Sequence, residues 1–157
     1  MSSRLAVRRI HLTTGILAFL TIAAFWSSTV VAELFGGPAT IAAVKQGILW
    51  GMALLVPAIA TAGATGFRLG GKSRAPTVAA KRRRMPLLAL NGLLVLVPSA
   101  VFLAGRAADG RFDAVFYAVQ ALELAAGALN IWLMGLNIRD GFAMTRPRRG
   151  RRLQPGT

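Results

Sequence analysis

Four apolar blocks constrain this chain more than any other feature: residues 10–32, 41–64, 86–105 and 114–138. Each is long enough to cross a bilayer, which takes ~20 residues at 1.5 Å of rise per residue. A block of this kind reads as a membrane helix. The fold class predicted is therefore all-α, a four-helix transmembrane bundle over residues 1–140. A basic, disordered cytoplasmic tail is expected over residues 141–157, where Arg, Pro and Gly dominate. Short connections make consecutive helices antiparallel neighbours, so the expected topology is up-down-up-down.

The first block follows Arg4, Arg8 and Arg9, as a signal peptide would. A signal peptide's apolar region spans only ~7–15 residues and ends at a small-residue cleavage site. This block is longer, and it holds Phe25 and Trp26 where such a region would taper. It reads as a retained helix.

Charge sets the orientation. The formal net charge is +14, from 19 basic and 5 acidic residues. Sixteen of the basic residues fall in three tracts: three at the N-terminus, seven between Arg68 and Arg84, and six between Arg139 and Arg152. Only Lys45, Arg106 and Arg111 lie on the other side, where Glu33, Asp109 and Asp113 balance them. Lys and Arg are retained on the cytoplasmic face during insertion. Both termini are thus expected inside, with two short external loops. Arg accounts for 16 of the 19 basic residues, and Ala and Gly are abundant, which fits a bacterial inner-membrane protein from a GC-rich genome.

The runs "KRRRMP" and "TRPRRGRR" act first as topology determinants. Arg82, Arg83 and Arg84 are also candidate contacts for anionic lipid headgroups, at ~1 kcal/mol per residue near the surface. Nucleic acid is not expected as a partner, since the runs have no interleaved aromatics and no folded reader.

Several chemistries are excluded. The chain has no cysteine, so disulfides, thiolate catalysis and Cys-ligated metal sites are ruled out. His11 is the only histidine, which rules out an all-histidine metal cluster or a bis-histidine haem within one chain. No nucleophile–base pair stands out. Independent catalytic activity and a metal site are not expected.

Breakers punctuate the blocks. Gly36, Gly37 and Pro38 end the first helix, and Thr40 is placed to cap the second. A long basic inner loop is expected from Gly66 to Met85. Pro57 and Pro98 each remove a backbone hydrogen bond and are expected to kink their helices. Gly47 and Gly51 form a GxxxG, a spacing that lets helices approach closely.

The last block is polar in a regular way. Asp113, Gln120, Gly127 and Met134 are seven apart, as are Phe116, Glu123, Asn130 and Asn137, and the two sets are offset by three. These are the a and d positions of one seam. A charge facing hydrocarbon at the centre costs ~2.5–3.5 kcal/mol on insertion scales. Gln120, Glu123, Asn130 and Asn137 are therefore expected to face protein, with Leu122, Ile131 and Trp132 toward lipid. Lys45 is the expected ion-pair partner of Glu123. By helical rise, Asn137, Asn91 and His11 share the inner boundary. Glu123 reads either as a structural residue, neutral or paired with Lys45, that locks helices together, or as a carboxylate that carries protons or binds substrate. His11 reads as an interfacial hydrogen-bonding residue or, with Asn91 and Met134, as a haem b or quinone contact.

"RRIHLTTGILAFL" resembles the first helix of bacterial b-type cytochromes, where basic residues precede a ligating histidine. The absence of a second histidine departs from that pattern, so Met134 or another subunit would have to complete an axial pair. The stretches "KRRRMPLLALNGLLVLVPSA", "FDAVFYAVQALELAAGALN" and "LMGLNIRDGF" resemble a family of small four-span bacterial inner-membrane proteins without an assigned role. That resemblance implies topology and bacterial origin.

Two function classes follow. The first is an accessory or cofactor-contacting subunit of a membrane redox complex, with other membrane subunits or a second copy as partners. The second is a small proton-coupled transporter or channel that uses Glu123.

Overall fold

The computed structural model describes residues 2–71 and 76–145. Within them the chain is helical except at Gly71 and at two short connections, 36–37 and 109–113. Helix α1 spans Ser2–Phe35, α2 Pro38–Gly70, α3 Pro76–Asn91, α4 Val97–Ala108 and α5 Ala114–Thr145. A single π-helical turn, Gly92–Leu96, joins α3 to α4, so that the two form one rod. The result is an all-α bundle of four rods, each long and apolar enough to cross a membrane.

The turns follow from glycine and proline. Gly36 donates its N–H to the Ala32 carbonyl at 2.8 Å and closes α1. A side chain at Gly36 would stand 2.6 Å from that carbonyl oxygen, so glycine is required. Gly37 then precedes Pro38 in the first turn of α2, where a missing N–H costs nothing. Thr40 is not the cap that was expected. It lies inside the first turn and packs on Gly36. At the far end of α2, Gly71 adopts a φ of 45° and returns its N–H to the Phe67 carbonyl.

Three boundaries differ from expectation for one reason: hydropathy marks where lipid ends, not where a helix ends. The inner loop is much shorter than residues 66–85. Helix α2 runs to Gly70, and α3 begins at Pro76. "KRRR" is thus helical, because Lys, Arg and Ala are good helix formers outside lipid as well as near it. Helix α5 likewise continues to Thr145, four residues beyond the expected start of the tail at 141. The remainder of that tail, 146–157, lies outside the described residues.

The two interior prolines are accommodated differently. Ahead of Pro98 the helix widens, and Val97 donates to the Gly92 carbonyl five residues back. A wider turn separates the proline ring from the carbonyls it would otherwise strike. Pro57 sits in α2 without interrupting it.

Packing runs antiparallel in two hairpins. In the first, His11 meets Ala62 and Thr65, Phe25 meets Gly51, and Gly36 meets Thr40. In the second, Arg84 meets Asp140, Asn91 meets Asn130, and Arg106 meets Asp113. The hairpins join where Trp26 donates to the Leu124 carbonyl at 3.0 Å. They join again in an apolar cluster of Ala32, Ile41, Leu103, Ala107 and Phe116. The small buried residues belong to the helix interfaces. Many large apolar side chains, Phe35, Trp50, Leu93 and Trp132 among them, point outward, while Leu103 and Phe116 are fully buried. That is the arrangement for a chain whose solvent is hydrocarbon.

Of the GxxxG pair, only Gly51 meets a neighbour. A Cβ there would run into the Phe25 ring, whereas one at Gly47 meets nothing within 4 Å. Gly51→Ala should destabilise the protein by about 1–3 kcal/mol, the usual range for overpacking. Gly47→Ala should be near neutral. Thermal melts in detergent check this, and Phe25→Ala should recover part of the Gly51→Ala loss.

Candidate functional site

Helix α5 carries its polar side chains into the bundle. Gln120, Glu123 and Asn130 are buried, Asn137 is half-buried, and Phe116 on the same seam is fully buried. Leu122 and Trp132 are exposed, and Ile131 is intermediate. At Gly127 the seam receives the indole of Trp26. The other helices meet the seam in three tiers, about 10 Å apart at seven residues per step.

The outermost tier is ionic. Lys45 is 1% exposed, and its Nζ donates to Glu123 Oε2 at 2.6 Å. The Gln120 amide donates to the same oxygen at 3.2 Å. Lys45 is seven residues into α2 and Glu123 nine into α5, so the pair lies ~10–14 Å from the helix starts. Glu33 of α1 adds a second carboxylate within electrostatic range of both. Glu33 Oε1 and Gln120 Oε1 are buried without a hydrogen-bond partner.

The middle tier is neutral. The Asn91 amide donates to Asn130 Oδ1 at 2.8 Å and to the Ala126 carbonyl at 2.9 Å. Asn91 therefore lies level with Asn130, not with Asn137 at the inner boundary as its distance from Pro86 implied. The reason is the early start of α3, which places the basic run and not Asn91 at that boundary.

The innermost tier is Arg84, which donates to Asp140 at 2.6 Å and to Asn137 at 3.4 Å. Arg139 also reaches Asp140. Of the three arginines expected at lipid headgroups, Arg84 thus turns into the bundle. Arg82 bonds the Gly71 carbonyl, and Arg83 is exposed.

His11 belongs to the first hairpin. Its Nδ1 lies 3.0 Å from the Ala62 carbonyl and 3.2 Å from Thr65 Oγ1. A carbonyl only accepts, so Nδ1 carries a proton, and in the neutral ring Nε2 then holds the lone pair. The structure does not bring His11, Asn91 and Met134 into one site. His11 sits between α1 and α2, Asn91 is bonded to α5, and Met134 is half-buried on α5. Among the described residues no group of three or more His, Asp or Glu is arranged to hold a metal.

Asp113 lies just outside the spans. It accepts the Phe116 N–H at 3.0 Å and pairs with Arg106, capping α5. The Phe116 amide, aided by the Arg106 guanidinium, holds this carboxyl below its ordinary range. A depressed folded-state value adds stability above the unfolded pKa, and that stability is lost as pH falls through the folded value. Melts of the wild type should therefore fall at acid pH more steeply than those of Asp113→Asn.

Two members of the tiers were not singled out by sequence reasoning. Asp140 had a signal: it is the one acidic residue among the sixteen basic ones of the inner side. Glu33 was counted only as a loop charge. No protein-family model, curated protein or solved structure matches this chain.

Removing one member of a buried ion pair costs about 3–5 kcal/mol, because it strands the other charge. Glu123→Gln and Lys45→Met should each lower the melting temperature. The double variant should lose less than the two single losses combined. Strict additivity in that cycle would argue against a coupled pair.

Proposed function

We propose that this integral membrane protein is an accessory subunit of a bacterial inner-membrane redox complex, with both termini in the cytoplasm. The observation that carries the reading is the way the seam closes on itself. Lys45 meets Glu123, Asn91 meets Asn130, and Arg84 meets Asp140. Side chains committed to each other hold helices in register and are poorly placed to serve a turnover. Two shallow surface depressions, one lined by Pro76, Ala79, Ala80, Arg83 and Arg84 and one by Leu5, Ala6, Arg9 and Ile10, share only Arg84 with the seam. Such a chain acts by presenting fixed faces to other membrane subunits or to a second copy.

The cofactor-contacting form of this reading rests on His11. With Nδ1–H committed to the Ala62 carbonyl, Nε2 offers a lone pair to a haem iron or a quinol hydroxyl. The partner subunit would hold the group, and His11 would touch it. The orientation rests on the basic tracts at the N-terminus, around the α2–α3 connection and at the C-terminal end. Exposed Arg83 suits an anionic headgroup there.

Purification from native membranes in mild detergent tests the proposal. A redox-active membrane subunit should co-purify in fixed ratio, and His11→Ala should change the absorption spectrum of that complex. A colourless chain that purifies alone would overturn it. Reporter fusions after Thr157 should be cytoplasmic and those at Gly36–Gly37 periplasmic.

One observation favours a second reading, a proton-coupled transporter: an ion pair ~10–14 Å in from the helix starts rather than at their ends. On that reading Glu123→Gln abolishes proton flux into liposomes while leaving the fold intact.

A further inference from the structure

Helix α2 carries a second heptad seam, and this one faces away from the bundle. Ala43, Trp50 and Pro57 are seven apart, as are Gln46, Ala53 and Ala60, and the two sets are offset by three. All six are exposed, whereas Ile41, Lys45 and Ile48 on the other side of the helix are buried. Such a and d positions are where parallel helices meet.

Gln46 distinguishes this face from ordinary lipid-facing surface. The other amides of the spans are bonded: Asn91 to Asn130, Gln120 to Glu123 and Asn137 to Arg84. Gln46 is exposed and makes no hydrogen bond among the described residues. It stands eight residues into α2, about 12 Å from the turn at Gly36–Gly37. Leu34 and Phe35 beside that turn are 68% and 83% exposed, so apolar surface reaches the turn itself. The Gln46 amide therefore opens onto hydrocarbon, which offers it no partner. Trp50 is 75% exposed and lies deeper still, about 18 Å from the turn, below the boundary belt where an exposed indole finds water.

We infer that this face of α2 is the interface between two copies of the chain, closed by a reciprocal pair of hydrogen bonds between Gln46 and Gln46 of the partner subunit. Copies inserted the same way round are related by a two-fold axis along the membrane normal. Residues beside that axis meet their own counterparts at the same depth. A primary amide suits such a meeting, because it holds both a donor and an acceptor. Each Nε2 donates to the other Oε1. A carboxylate or an ammonium in its place would meet its like and repel it. Ala43 and Ala53, one turn outward and two turns inward of Gln46, are small enough for the two backbones to approach. The inference commits one of the fixed faces proposed above to a second copy, and it needs no redox subunit.

The chain has no native cysteine, so single cysteines report contacts directly. In the full chain reconstituted in liposomes, Ala53→Cys should give a disulfide-linked dimer on mild oxidation. Leu122→Cys, on the lipid-facing side of α5, should not. Energy transfer between copies labelled at the N-terminus measures the dimer fraction as lipid is added. Gln46→Leu should weaken the dimer about tenfold, the scale of a hydrogen-bonded contact between helices in lipid. It should leave the melting temperature of the detergent-solubilised monomer unchanged, since Gln46 bonds nothing within its own chain. A dimer fraction unmoved by Gln46→Leu would overturn the inference. So would failure of Ala53→Cys to cross-link, or equal cross-linking through Leu122→Cys. Capture of a different chain by Ala53→Cys in native membranes, with none of the dimer in liposomes, would give the face to another subunit and also overturn it. Liposomes of the purified chain hold no redox subunit, so a dimer there stands even if the redox reading fails.

Discussion

Hydrocarbon offers no hydrogen bonds, and most of this structure answers to that fact. Lys45 and Glu123 meet it in its strictest form. Each alone would be an unsolvated charge, and together, with Gln120 on the same oxygen, they become tolerable. Helices α2 and α5 stand across the bundle from each other, each packed on α1 and α4, so forming that contact requires the long Lys45 side chain to reach over the centre to Glu123 at a matching depth. The pair therefore sets the register between the two hairpins, and the apolar contacts follow from it. Just beyond it toward the outer end, Ile41, Leu103 and Phe116 pack with Ala32 and Ala107.

The remaining contacts obey the same restriction with weaker groups. An indole donates to a backbone carbonyl, one asparagine donates to another, and a histidine donates to a carbonyl across the first hairpin. Thr13, Thr14 and Thr21 return their hydroxyls to carbonyls of their own helix. Apolar attraction adds little here, since lipid tails are as apolar as leucine. Close approach takes its place. Phe25 lies on Gly51 and Trp26 on Gly127, where neither contact leaves room for a side chain. The π turn ahead of Pro98 belongs to the same set of adjustments, since it lets a proline stand in a spanning helix without breaking it.

The two ends of the bundle differ in chemistry. One end combines an apolar cluster with Glu33, Lys45 and Glu123. The other gathers Lys81, Arg84 and Arg139 around Asp140, with Lys81 Nζ close to Gly141. Basic residues can extend past the lipid boundary on helices, because their stems lie along apolar surface while their heads reach water. This is why α3 begins ten residues before Pro86 and why α5 continues to Thr145. It also leaves Arg84 free to choose an internal carboxylate over a headgroup.

The sequence by itself determined that the chain is four membrane helices and which face of α5 carries the polar groups. Block length and heptad spacing suffice for both, since each depends only on neighbours along the chain. Lys45 was legible as the partner of Glu123 for a similar reason: few cations stand on that side, and helical rise limits which can reach. The tertiary structure alone decided the partners of Asn91, Arg84 and His11. It also decided that one glycine of the GxxxG is used and the other is not. Each of these depends on how one helix is rotated and shifted against another. Spacing within a helix leaves that offset open, and it is set only when charges and rings from different helices meet.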